Sequence, residues 1–167
     1  MTEKKNILIV DDERTMREFL DTSLRGRFHV RTAADSTEAL AILSEETFDL
    51  ILSDVQMPRM GGLELLDALR RKGEPFPPLI LMTAFGTVEQ AVKATRGGAL
   101  DYLCKPFGLD QLEHVLGKAL EYEKLRYENT GLRENISDRS RRHGLLGNNP
   151  SMVQLREQIR TIATSRG

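Results

Sequence analysis

The stretch Leu50-Ile51-Leu52-Ser53-Asp54-Val55-Gln56-Met57-Pro58 decides the fold. Its unbroken aliphatic start predicts a strand buried on both faces, as in a parallel sheet covered by helices. The run ends on a carboxylate and then turns at a proline. A charge at the end of a buried strand is costly unless it is paired or has chemistry to do. In an open α/β sheet such strand ends face the crevice where ligands bind, so Asp54 is expected at the mouth of a site. Asp11 and Asp12 follow an equally apolar run, Ile7-Leu8-Ile9-Val10. If these two strands are neighbours, three carboxylates converge.

Like charges at ~4 Å repel by a few kcal/mol per pair at an effective dielectric near 20, so a proton or cation has to share the cluster. An oxygen-only, partly open donor set suits Mg²⁺, which takes one or two carboxylates together with waters and phosphate oxygens. A divalent ion beside a carboxylate points in turn to phosphoryl chemistry.

Composition narrows the class. The 167 residues suffice for one ordinary domain and a short extension. The 24 basic and 25 acidic residues leave a formal net charge of −1, which points to no nucleic-acid or membrane partner. A lone cysteine, Cys104, excludes an intramolecular disulfide and fits a reducing, cytoplasmic setting; it reads as a small buried hydrophobe. No run approaches the ~20 apolar residues of a membrane helix.

Strand and helix signals alternate five times, predicting a doubly wound, five-stranded parallel sheet. Ile7 to Val10, Leu50 to Leu52 and Leu79 to Met82 are continuously apolar and belong inside. Phe28 to Thr32 and Leu100 to Leu103 alternate apolar with polar and fit the edges. The resulting order is 2-1-3-4-5, the flavodoxin-like arrangement. Between the strands, helical stripes fall on Met16, Phe19, Leu20 and Leu24, on Ala39, Leu40 and Leu43, and on Leu63, Leu66 and Leu69. Asp35 with Glu38 and Thr87 with Gln90 have the spacing of capping boxes. The helix after Thr87 offers only Ala91, Val92, Ala94 and Thr95 to bury, so it is expected to be the most weakly held.

After Leu109 the pattern lengthens. Leu112, Val115, Leu116, Ala119 and Leu120 can cover the sheet, and the helix is expected to run on. Tyr122, Leu125, Asn129, Leu132 and Ile136 then fall at spacings of 3, 4, 3 and 4, a heptad seam for a parallel homodimer through the fifth helix and linker, with Asn129 at an a position. Residues 137–143 are polar and basic and read as a hinge. A further amphipathic helix follows on Met152, Leu155, Ile159 and Ile162. The expected organisation is therefore 1–120, a 121–143 linker, and 144–167.

The residues now placed resemble a two-component response-regulator receiver domain. They are Asp11-Asp12 after the first strand, Asp54 with Met57-Pro58 and Gly61-Gly62 after the third, Thr83-Ala84 after the fourth, and Lys105-Pro106-Phe107 after the fifth. The resemblance implies that Asp54 is the phosphoacceptor, served by a sensor histidine kinase, and that the protein's only catalysis is its own phosphorylation and dephosphorylation. It also implies Mg²⁺ as cofactor, on Asp12, Asp54 and the Gln56 backbone carbonyl, with Asp11 holding the ion's water. Lys105 and Thr83 would bind phosphate oxygens, and Thr83 with Tyr102 would form the switch. Leu145-Leu146-Gly147-Asn148-Asn149-Pro150-Ser151-Met152 resembles the start of the AAA+ domain of NtrC-like sigma-54 activators. The Gly-rich phosphate loop G-x-x-x-x-G-K-[ST] that continues that domain is not in the sequence. The 167 residues therefore read as a receiver and linker truncated before that loop, with DNA binding expected only from a part of the regulator that follows.

Other classes compete. An aspartyl phosphatase of the haloacid-dehalogenase type needs an acid two residues after the nucleophile, where Gln56 stands. A flavodoxin-like cofactor binder needs a hydroxyl- and glycine-rich first loop, where Asp11-Asp12-Glu13 would repel phosphate. A stand-alone dimerisation module with a vestigial acid site is the remaining alternative; the intact set Asp12, Asp54, Thr83 and Lys105 speaks against it.

Overall fold

The computed structural model describes residues 3–84 and 86–145. The helix expected on Met152 to Ile162 and the stretch from Leu146 onward that resembles an AAA+ start lie outside them. Strands β1 (Lys5–Val10), β2 (Phe28–Ala33), β3 (Leu50–Asp54), β4 (Leu79–Thr83) and β5 (Asp101–Cys104) alternate with helices α1 (Arg14–Leu24), α2 (Ser36–Glu45), α3 (Gly62–Arg71), α4 (Val88–Arg96) and α5 (Leu109–Leu145). The sheet is wholly parallel, in the order β2-β1-β3-β4-β5, as the apolar and alternating runs predict.

Side-chain alternation divides the core between the two faces. Ile7, Ile9, Leu50, Leu52, Ile80 and Met82 point to one face, beneath Leu20 and Leu24 of α1 and Leu112, Val115, Leu116 and Ala119 of α5. Leu8, Val10, Ile51, Leu79 and Leu81 point to the other, beneath Ala39 of α2 and Leu65, Leu66 and Leu69 of α3. Each such fully buried leucine or isoleucine contributes roughly 1.5–3 kcal/mol over its exposed state.

Three expectations are corrected. Phe19, placed on the apolar stripe of α1, is 42% exposed, because Leu20 and Leu24 already cover the sheet there. The Asp35 carboxylate caps α2 by accepting from the Glu38 amide at 2.7 Å, but Glu38 reaches back to the Ala34 amide at 2.8 Å, one residue earlier than a capping box requires. The hinge expected over 137–143 is helical: α5 continues to Leu145, since that segment has neither proline nor glycine and its residues cost a helix only tenths of a kcal/mol each. The α/β unit ends at Glu123 and a second unit begins at Lys124.

Candidate functional site

Parallel register gathers the site residues at one end of the sheet. Val10 pairs with Ser53 and Asp54 with Met82, so Asp11 leaves β1 beside Asp54, and Thr83 closes β4 one residue beyond Met82. Thr83 pairs with Cys104, and the Lys105 amide donates to the Thr83 carbonyl at 2.7 Å. Lys105 is thus carried to the same edge, across a cis peptide to Pro106. The Gly61-Gly62 pair lets α3 start close against the end of β3. A Cβ on Gly62 would lie 2.5 Å from the Asp54 carbonyl, and one on Gly61 would collide with the Val55 carbonyl.

Asp11 is fully buried and engaged at every polar group. Its amide donates to the Ala33 carbonyl at 3.1 Å, and its own carbonyl accepts from Arg17 Nη1 at 2.6 Å. Its carboxylate accepts from the Glu13 amide and from Lys105 Nζ, each at 2.9 Å. Asp54, 6% exposed, has its Oδ2 3.5 Å from the same ammonium. Asp12 faces outward, and one oxygen from each of the three acids lies within 4.8 Å of the others.

Burial, and next the charge of Asp11, push the Asp54 carboxyl above the ordinary range, against the opposing pull of Lys105 and a hydrogen bond to the Gln56 backbone. Burial works against the Lys105 ammonium too, but the Asp11 hydrogen bond and the charges of Asp11, Asp54 and Glu13 outweigh it and raise its pKa. Three carboxylates against the Lys105 ammonium and the Arg17 guanidinium still leave negative charge uncompensated at a partly open edge lined by oxygen donors. That donor set fits a hard divalent cation such as Mg²⁺.

Thr83 is 1% exposed and is joined to the Tyr102 hydroxyl by a hydrogen bond. Burial and contact with Cys104 raise the tyrosine pKa, and the Thr83 bond opposes them. The Tyr102 hydroxyl and Cys104 Sγ both crowd Gly86, where a Cβ would lie 3.2 Å from that hydroxyl. Cys104, expected to be buried, is exposed and forms part of this group, because β5 is an edge strand and its last residue points away from the core. Sequence reasoning also missed Arg17. Its position, six residues after Asp11 and one turn into α1, was the available signal.

Tyr122, Leu125 and Leu132 of the expected seam are 50, 58 and 62% exposed. Asn129 is exposed as well, and the Ile136 side chain lies outside those described. No helix among the described residues is long and apolar enough to cross a membrane.

Comparison with known proteins agrees with this geometry. A family profile described as the response regulator receiver domain matches residues 7–117. The transcriptional regulatory protein ZraR of Salmonella typhimurium is 39% identical over 163 residues, covering 97% of this chain and 36% of that protein. The regulatory protein AtoC of Escherichia coli is 37% identical over 168 residues, covering 99% of this chain and 36% of its own length. The chain therefore spans about a third of the curated relatives it matches. Among solved structures, chemotaxis protein CheY4 of Vibrio cholerae superposes with a TM-score of 0.67 at 34% identity, covering 71% of this chain and all of that one. NtrX of Brucella abortus gives 0.75 at 34% identity, covering 96% of this chain and 35% of its own. With the acid pocket, the lysine and the hydroxyl at one sheet edge, this chain belongs to the response regulator receiver domain family, whose general function is phosphorylation-driven switching.

Proposed function

We propose that this chain is the phosphorylation switch of a sigma-54-dependent transcriptional activator in the cytoplasm. In this reading residues 1–120 are the receiver, 121–143 the linker and 144–167 the start of an AAA+ unit. The carrying observation is Lys105 Nζ poised between Asp11 at 2.9 Å and Asp54 at 3.5 Å. An ammonium so placed serves one oxygen of a group attached to Asp54 without leaving the site.

Asp54 attacks the phosphorus of a phosphohistidine on the sensor kinase. An O–P bond forms at its carboxylate, the P–N bond breaks, and the imidazole keeps the electron pair and takes up a proton. Asp12, Asp54 and the Gln56 carbonyl would hold Mg²⁺, which would supply positive charge to offset that of the acids and of the incoming phosphoryl group. Asp11 stays clamped and orients Lys105. Thr83 turns its hydroxyl to a second phosphate oxygen, which requires it to exchange its bond with Tyr102. Tyr102 then carries the change to α4, β5 and α5, and the seam Tyr122, Leu125, Asn129, Leu132 and Ile136 joins two copies in a parallel dimer whose geometry reports the state of Asp54.

Incubation of the chain with a small phosphodonor and Mg²⁺, followed by mass measurement, tests this. A gain of about 80 Da is expected, absent in Asp54→Ala and after chelation. No gain, or a gain that survives Asp54→Ala, overturns it.

A further inference from the structure

We infer that a second copy of this chain is selected, and held parallel, by reciprocal charge pairs along α5: Glu121 with Arg126 of the second copy, and Glu128 with Arg133 of the second copy. The inference rests on the dimer proposed above and specifies what orients it.

With Tyr122, Asn129 and Ile136 at a positions and Leu125 and Leu132 at d, residues 121 and 128 take g positions and residues 126 and 133 take e positions. In a parallel two-stranded coil, each g position faces the e position five residues further along the partner. Residue 126 is five beyond 121, and 133 is five beyond 128, so both g–e contacts join Glu to Arg. Two-fold symmetry repeats each of them. An antiparallel pairing would set g against g and e against e, glutamate facing glutamate and arginine facing arginine. Charge thus separates the two orientations. Register has its own device, because Asn129 meets its counterpart only without slippage; a heptad slip sets it against Tyr122 or Ile136.

Three of these four charges lie on the described surface of α5. The backbone is helical from Leu109 to Leu145. Glu121, Arg126 and Glu128 are exposed, and Tyr122, Leu125 and Leu132 turn half or more of their surface outward. The seam is bounded at both ends. The preceding a position, Val115, is buried against the sheet, the preceding d position is Lys118, and the following d and a positions are Arg139 and His143. Only about two heptads remain, a length at which helical association is marginal, so the flanking charges weigh more than in a long coil.

Sedimentation equilibrium of the full 167-residue chain at low salt, with Asp54 unmodified and phosphorylated, tests the pairing. The wild type is expected to dimerise in at least one state. The double variant Glu121→Lys/Glu128→Lys is expected to associate at least tenfold more weakly in that state. Adding Arg126→Glu and Arg133→Glu, so that all four charges are exchanged, is expected to restore wild-type association. Lysine and glutamate are both good helix formers, and circular dichroism checks that α5 is kept. A wild type monomeric in both states at about 0.1 mM removes the dimer and this inference together. A wild-type dimer indifferent to the lysine pair, or a fourfold exchange that fails to restore it, leaves the dimer standing and overturns the charge pairing.

Discussion

Helices α3 and α4 come from similar lengths of chain and differ in what their described side chains bury. From α3, Leu65, Leu66 and Leu69 reach the core, and Gly61 and Gly62 bring its start hard against the strand carrying Asp54. None of the described α4 side chains is buried, and Val92 is 44% exposed. The end of α4 is tied to α3 where Arg70 Nη1 donates to the Gly97 carbonyl at 2.8 Å. The acceptor therefore sits beside a helix anchored in the core, while the described side chains of α4, the element beyond Thr83 and Tyr102, face outward. Segments with few buried contacts open at the lowest free-energy cost.

The largest expected effect separates the two helices directly. Leu66→Ala removes a side chain only 1% exposed and is expected to destabilise the protein by about 3 kcal/mol, the middle of the range for such core truncations. Val92→Ala on α4 should stay within about 0.5 kcal/mol, as surface changes do. Urea denaturation of both variants measures the contrast. Equal losses would show that α4 is as firmly packed as α3.

A smaller effect, of opposite sign, comes from Asp54. Its folded pKa is raised, chiefly by burial and then by Asp11, so the folded state favours the protonated acid. That favourable contribution is present below the ordinary carboxylate pKa and is lost as pH rises through the raised value. Asp54→Asn removes the penalty and is expected to stabilise the metal-free protein by about 1 kcal/mol at neutral pH. The gain should shrink as pH falls into the ordinary carboxylate range, which thermal melts in a chelating buffer would follow. A loss at neutral pH would mean that the Lys105 contact outweighs burial and repulsion.

Much of the acceptor end of the sheet is legible in the sequence, because it rests on patterns that are local. Ile7 to Val10 and Leu50 to Leu52 announce inner strands by composition, and parallel register then carries Asp11, Asp54, Thr83 and Lys105 to one edge. What escapes is set by packing between distant elements. Phe19 has the spacing of a core residue, yet its place is already covered by Leu20 and Leu24. The hold of Arg17 on the Asp11 carbonyl depends on the path of a loop. Cys104 meets Tyr102 and Gly86 only because β5 is an edge strand. The basic run after Ser137 suggests a break, but charge alone does not end a helix without a residue that denies it a hydrogen bond.

The smallest expected effect tests how α4 begins. The Thr87 hydroxyl accepts from the Gln90 amide at 3.3 Å, whereas the Asp35 carboxylate that starts α2 accepts from the Glu38 amide at 2.7 Å. A short bond to an ionised acceptor is roughly twice as strong as a long neutral one. Asp35→Ala is therefore expected to cost about 1 kcal/mol and Thr87→Ala about half of that. Denaturation midpoints at unchanged slope give both numbers, and hydrogen exchange of the α4 amides should quicken about twofold in Thr87→Ala, since 0.5 kcal/mol is little more than a factor of two in an opening equilibrium. A Thr87→Ala loss approaching that of Leu66→Ala would make α4 an integral part of the folded unit, and the contrast with α3 would then no longer account for where the switch can move.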